Sequence, residues 1–116
     1  MLCVDDNKEL LKNLALQFVE EDFEVDTAED GDIALQKIAE HHYDIVLLDL
    51  KLKNMNGVTV LKEMKKINKN PYVIVLTAVN DLPMAQECIS LGAKDYITKP
   101  YDPEELLDVV IKVLGS

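Results

Sequence analysis

Two spacings of apolar residues alternate along this chain. Short continuous runs, Met1-Leu2-Cys3-Val4, Ile45-Val46-Leu47-Leu48 and Val73-Ile74-Val75-Leu76, are bounded by polar or turn-forming residues. Between them apolar residues recur every third or fourth position, as in Leu11, Leu14, Ala15 and Phe18. The first spacing fits strands buried on both faces, and the second fits the buried stripe of a helix. Phe23-Glu24-Val25-Asp26-Thr27 alternates apolar and polar, as a half-exposed strand does. The pattern predicts strands over about 1–4, 23–27, 44–48, 73–76 and 94–98. It predicts helices over about 7–21, 32–41, 58–67, 82–90 and 103–114. Helix 2 carries Ile33, Ala34, Leu35 and Ile38, and helix 5 turns Leu106, Leu107, Val110 and Val113 to the core. Asp30-Gly31 and Asn70-Pro71 break the pattern, and a polar loop from Lys51 to Asn56 reaches helix 3 through Gly57. Gly92 suits the C-terminal cap of helix 4, and Pro103 the first turn of helix 5.

Five strands alternating with five helices imply one α/β domain spanning residues 1–116, an open, doubly wound parallel sheet with helices on both faces. The most apolar strands belong in the middle, and the more polar strands 2 and 5 at the edges. The resulting flavodoxin-like order, 2-1-3-4-5, is one of two common doubly wound orders. It makes the crevice between strands 1 and 3 a topological switch point, where ligands bind beside the carboxyl ends of the strands. Polar groups stand at those ends. Asp5-Asp6 follows strand 1, Asp49 strand 3, Thr77 strand 4 and Lys99 strand 5.

Composition narrows the classes. A length of 116 residues suits a single core, and 48% apolar content argues against disorder. No apolar run approaches the roughly 20 residues of a membrane helix. No basic stretch precedes the first apolar run, so no signal peptide is expected and a cytoplasmic location follows. The net charge is −10 and every basic residue is Lys, which makes direct binding of nucleic acid unfavourable. Cys3 and Cys88, far apart in sequence, read as free buried thiols of a reducing compartment. His41 and His42 lack clustered partner ligands and read as the polar end of a helix.

The acidic strand ends carry the chemistry. Each close pair of carboxylates costs roughly 4 kcal/mol at a surface-like dielectric, so something must offset it. An all-oxygen donor set with room for water suits Mg²⁺, with Mn²⁺ as an alternative. Asp49 is ionised at neutral pH on its reference value and needs no general base to attack phosphorus. Thr77 can donate to one phosphoryl oxygen, Lys99 can pair with another, and Ala78 is small enough to leave the phosphorus approachable. Each residue also has an ordinary alternative. Asp6 with Glu9 resembles a capping box for helix 1, Asp5 could be solvated, Thr77 could cap helix 4, and Lys99 could lie on the surface. Asp49 has the weakest alternative, because an unpaired carboxylate beside Leu47 and Leu48 is costly.

These residues sit in segments that resemble the receiver domains of response regulators. The segments are Val4-Asp5-Asp6, Ile45-Val46-Leu47-Leu48-Asp49-Leu50, Val75-Leu76-Thr77-Ala78 and Gly92-Ala93-Lys94-Asp95-Tyr96-Ile97-Thr98-Lys99-Pro100, and the likeness covers nearly the whole chain. The resemblance implies that Asp49 accepts phosphate from a phosphohistidine on a histidine kinase or histidine phosphotransfer protein. It implies direct Mg²⁺ ligation by Asp6 and Asp49, a partly water-mediated role for Asp5, and the Lys51 carbonyl as a further ligand. Thr77 and Tyr96 become a switch pair, and a cis Lys99–Pro100 bond becomes admissible. The usual Met-Pro after the phosphoacceptor is Leu52-Lys53 here, which leaves that loop less restrained. Strand 1 begins close to the acidic pair, as a trimmed or replaced start would. The chain is either a stand-alone receiver or a piece of a larger regulator or hybrid kinase.

Further expectations follow from this reading. Phosphorylation should alter the face of helix 4, strand 5 and helix 5, for docking of a downstream protein or for self-dimerisation. Leu10, at the edge of the helix 1 stripe, is expected to help dock the phosphodonor, with burial against the sheet as its alternative. Lys51 and Val79, two residues after Asp49 and Thr77, should flank the path of a hydrolysing water. Neither offers an acceptor, so slow self-dephosphorylation is expected, with Lys51 able to lie across the phosphoryl group. Two other functions compete. A haloacid-dehalogenase-type phosphohydrolase shares the Asp, Mg²⁺, Thr and Lys, but would carry its nucleophile in an Asp-x-Asp motif after strand 1. A flavin-binding module would need an uncharged phosphate loop where Asp5-Asp6 stands.

Overall fold

The computed structural model describes residues 1–115. Its strands are β1 (Leu2–Val4), β2 (Asp26–Ala28), β3 (Ile45–Asp49), β4 (Tyr72–Ala78) and β5 (Asp95–Lys99). Its α-helices are α1 (Lys8–Glu20), α2 (Gly31–Glu40), α3 (Gly57–Lys66), α4 (Leu82–Ser90) and α5 (Pro103–Leu114), and a 3₁₀ turn at Val79–Asp81 leads into α4. The strands form one parallel sheet in the order β2-β1-β3-β4-β5, as the polarity of the strands predicts.

Strand periodicity divides the core into two layers. Leu2, Val4, Val46, Leu48, Val73 and Val75 pack on one face, with Ala34, Ile38, Leu61, Met64 and Cys88 from α2, α3 and α4. Cys3, Ile45, Leu47, Ile74, Leu76 and Ile97 pack on the other, with Leu11, Leu14, Phe18, Leu106 and Val110 from α1 and α5. A fully buried aliphatic side chain contributes about 1.5–3 kcal/mol, so these rows fix the register firmly. Each site residue inherits a face from that register. Asp49 and Lys99 continue the α1/α5 rows of β3 and β5, and Asp5 lies two residues past Cys3. Thr77 and Tyr96 continue the rows that face α2, α3 and α4. Val75 pairs with Tyr96 and Thr77 with Thr98, so Tyr96 lies one strand over and two residues back from Thr77.

Helix starts follow side-chain caps. Asn7 accepts from the Glu9 and Leu10 N–H groups, Asp30 from Ile33, Asn56 from Thr59 and Asp102 from Glu104. Asp6 is therefore not the cap of α1. Asp5 Oδ1 accepts the Asn7 N–H at 2.9 Å, which turns the chain so that Asn7 takes that position. At the end of α4, the Gly92 N–H reaches the Ile89 carbonyl and the Ala93 N–H the Cys88 carbonyl, with Gly92 at φ +111°. This is the glycine-terminated closure the sequence predicts.

Three expectations need correction. The alternating stretch 23–27 enters the sheet only from Asp26, and the strand continues to Ala28. Asp22 turns the chain at φ 67°, and the Phe23 ring packs edge-on against Phe18 at 5.4 Å, so Phe23 serves helix packing instead of the ladder. Ile33 is exposed on α2 and stands outside the core. Thr77 lies inside β4, which runs to Ala78, and the 3₁₀ turn separates it from α4, so it does not cap that helix. Both thiols are free and buried, and burial pushes Cys3 up to about 12 and Cys88 up to about 11. His41 ends α2, and the exposed His42 ring lies 3.2 Å from Asp44. Among the described residues no helix is long and apolar enough to cross a membrane.

Candidate functional site

The closing ends of β1, β3 and β5 deliver their polar side chains to one place. Asp5, Asp6 and Asp49 each present a carboxylate oxygen, and these oxygens lie within 4.8 Å of one another. Asp5 and Asp49 are buried, and Asp6 is half-buried. Lys99 reaches across the sheet edge to both buried carboxylates, its Nζ 3.1 Å from Asp5 Oδ2 and 3.3 Å from Asp49 Oδ1. That reach crosses β4 at Ala78, the register partner of Lys99. A methyl group there leaves the long lysine side chain a path over the strand.

The charges are unevenly matched. One ammonium serves two buried carboxylates with a third nearby. Burial is the largest influence on the Asp49 carboxyl and raises it, Lys99 lowers it, Asp5 raises it and the Lys51 N–H lowers it, and the balance holds it up at about 6. Asp49 is thus displaced from the ordinary carboxylate range, yet remains mostly ionised at pH 7. The uncompensated negative charge and the three convergent oxygens fit a hard divalent cation with few protein ligands, which is the donor set Mg²⁺ or Mn²⁺ takes.

The β3–α3 loop is tied down around this cluster. The Gly57 N–H donates to the Leu50 carbonyl at 2.8 Å, Lys51 and Asn56 pair as an antiparallel bridge, and Leu52 is buried in the core. The loop is therefore anchored although Lys53 stands where a proline was expected. Gly57 is required by the close approach, because a Cβ there would lie 2.5 Å from Leu50 Cδ2 and 3.3 Å from its Cα. The Lys51 ammonium points to Asp81, with Nζ 3.3 Å from Oδ1. Val79 is 64% exposed, clear of the core.

Thr77 is buried and its hydroxyl donates to the Ala78 carbonyl at 3.2 Å. Tyr96 is half-buried against the α2–α4 core layer. The Lys99–Pro100 bond is cis. Leu10 is 39% exposed, and its alternative of full burial does not hold. With Asn13, Gln17, Pro100, Tyr101 and Pro103 it lines a groove of about 550 Å³ beside Lys99. Gln17 ties the two walls by donating to the Pro103 carbonyl at 2.7 Å. Burial and the nearby Asp5, Cys3 and Asp49 hold the Tyr101 hydroxyl up at about 12, so it stays protonated.

Sequence reasoning found the acidic residues, Thr77 and Lys99 through their positions at strand ends. It missed Asp81, because a partner of Lys51 that lies on a different loop leaves no spacing signal.

A family model described as the response regulator receiver domain matches residues 1–111. The chain is 36% identical over 114 residues to the response regulator ArlR of Staphylococcus aureus, covering 98% of this chain and 52% of that protein. It therefore spans about half the length of the curated relatives it matches. Among solved structures, a CheY-like receiver domain protein from Methanospirillum hungatei superposes with a TM-score of 0.90 at 30% identity, covering 98% of this chain and 91% of that one. The receiver domain of NtrX from Brucella abortus superposes with a TM-score of 0.91 at 30% identity, over 99% and 98% of the two chains.

Proposed function

The chain belongs to the response regulator receiver family, and on that premise we propose that it is the phosphoacceptor of a two-component system or phosphorelay, with Asp49 as the accepting residue. The observation that carries this reading is a single ammonium, Lys99, shared between buried Asp5 and Asp49 at the closing ends of three strands. A carboxylate kept short of positive charge is set to receive a cation and a phosphoryl group together.

An ionised Asp49 oxygen attacks the phosphorus of a phosphohistidine. An O–P bond forms, the N–P bond breaks, and the departing imidazole nitrogen ends protonated. Asp6 and Asp49, with Asp5 and the Lys51 carbonyl in support, would hold Mg²⁺, which would supply positive charge against the transferred group. Lys99 keeps its contact with the site and pairs with a phosphoryl oxygen. Thr77 gives up its bond to the Ala78 carbonyl and donates to another. Ala78 leaves the approach open. Movement of Thr77 clears space on the face it shares with Tyr96, which turns inward. The change reaches the α4–β5–α5 face, where a downstream protein or a second copy docks. The groove lined by Leu10 and the β5–α5 loop receives the histidine kinase or histidine phosphotransfer protein. The chain acts as a cytoplasmic signalling domain that turns over only its own phosphoryl group, and residues 1–116 form one such unit.

The test is mass spectrometry after incubation with a small acyl phosphate. One phosphoryl group per chain with Mg²⁺, and none without it, is expected. Undiminished labelling of Asp49→Ala would overturn the assignment. Steady release of phosphate from a small ester would mark a phosphohydrolase instead.

A further inference from the structure

Asp81 departs from the pattern of its counterparts. Among the described residues, α1, α2, α3 and α5 each begin with an Asn or Asp side chain that accepts a helix N–H. Asp81 stands in the same position before α4 and makes no such bond. Its backbone, at φ −108° and ψ 18°, closes the 3₁₀ turn and is not extended like those of the other four caps. The carboxylate meets Lys51 instead, at 3.3 Å, with the Asp81 side chain only 14% exposed and Lys51 64%. Lys51 is two residues past Asp49 on an anchored loop. Its ammonium is paired with Asp81, although the chain at Lys51 runs only two residues past the acidic cluster's Asp49. Lys99 already occupies the Asp5–Asp49 side.

We propose that Asp81 is a positioning residue that holds the Lys51 ammonium away from the acidic cluster in the unphosphorylated domain and yields it to the phosphoryl group once Asp49 is modified. A phosphoryl group adds about −1.5 to −2 charges, which outweighs the single charge of Asp81 and shifts Lys51 toward it without abolishing the competing pair. In the resting state the pair keeps a competing cation out of the metal site. In the phosphorylated state Asp81 competes with the phosphoryl group for Lys51, and so limits how long Lys51 lies across the phosphorus. The second half of this inference rests on the phosphoacceptor reading above; the first does not.

A double-mutant cycle of Asp81→Asn and Lys51→Met tests both halves. In the unphosphorylated domain, Asp81→Asn should weaken Mg²⁺ binding by about fivefold when Lys51 is present, because the freed ammonium enters the cluster. In the Lys51→Met background the same change should leave Mg²⁺ affinity nearly unaltered. Equal weakening in both backgrounds would mean simple loss of a nearby negative charge and would overturn the proposal. In the phosphorylated domain, Asp81→Asn should lengthen the aspartyl-phosphate lifetime about fivefold with Lys51 present. In the Lys51→Met background, where no ammonium competes, it should leave the lifetime unchanged. A lifetime unchanged by Asp81→Asn in the Lys51 background would overturn the second half. Failure of the chain to label at Asp49 would remove the phosphoacceptor reading, while the Mg²⁺ titration still decides the first half.

Discussion

The two edges of the sheet treat a carboxylate in opposite ways. At the edge where the strands begin, Asp26 accepts from the Tyr43 hydroxyl at 2.7 Å, from Lys37 Nζ at 2.9 Å and from the Thr27 N–H at 2.9 Å. Burial raises its carboxyl, but those donors outweigh burial and hold it below its ordinary value. At the edge where the strands end, Asp49 is more deeply buried, shares one ammonium with Asp5, and is pushed up to about 6. Each edge has an acid and a lysine. The difference is whether the donors match the negative charge. A matched carboxylate closes a structure, and the mismatched one is what the proposed phosphoacceptor role requires.

The sharpest way to break this comparison is to remove the lysine from each edge. Lys99→Met should slow labelling by a small acyl phosphate about 100-fold, since a preorganised charge at the transferring group is lost. Lys37→Met should leave the labelling rate within about twofold and cost the fold about 1 kcal/mol, in line with a half-exposed pair. Labelling rates and urea unfolding of both variants decide it. Comparable loss of labelling in the two would show that the edges are not functionally distinct.

Much of this contrast was legible in the sequence, but only one side of it. Asp49 announced itself because a carboxylate at the end of Ile45–Leu48 has no place in an apolar run. Lys99, Thr77, Asp5 and Asp6 followed from the doubly wound topology, which gathers strand ends. The other edge was hidden. Asp26 lies in an alternating stretch whose apolar members, Phe23 and Val25, pack against the α1/α5 layer ahead of the strand, so the pattern concealed where the ladder begins. Asp6–Glu9 matched a capping spacing that Asn7 fills in fact. Lys51–Asp81 and Lys37–Asp26 join charged side chains with no periodic relation, and only the packed sheet brings them together.

A pH series without Mg²⁺ sharpens the comparison at somewhat smaller scale. Between about pH 4 and pH 6 the folded domain holds a proton on Asp49 that the unfolded chain has released, so stability falls as pH rises through that window. The full effect is about 2–3 kcal/mol, and Asp49→Asn should remove it and stabilise the metal-free domain at pH 7. Asp26 has the reverse sign. Its folded-state carboxyl lies below 3.8, so its contribution is present above the unfolded value and lost as pH falls through the folded one. Urea unfolding from pH 4 to pH 8 should therefore give Asp49→Asn a flatter profile than the wild type above pH 4. Asp26→Asn should lower stability at neutral pH. An unchanged slope in Asp49→Asn would mean that the carboxyl is solvated after all.

The smallest expected effect is at Tyr43. Its hydroxyl is held protonated, first by burial and then by the bond it donates to Asp26, and that bond fixes one oxygen of the carboxylate. Tyr43→Phe removes one hydrogen bond to a charged acceptor without changing the ring, whose edge contact with His41 lies at 6.3 Å. The Asp26 side chain is 42% exposed, so water can replace the lost donor, and the cost should be about 1 kcal/mol or less. The carboxyl of Asp26 should rise toward its ordinary value, which a carbonyl-detected NMR titration can follow. Labelling of Asp49 should be unaffected, because Tyr43 precedes β3 while Asp49 ends it, and the buried residues of β3 between them are locked in register with β1 and β4. A slower labelling rate in Tyr43→Phe, with stability intact, would mean that the matched edge is mechanically coupled to the mismatched one through β3.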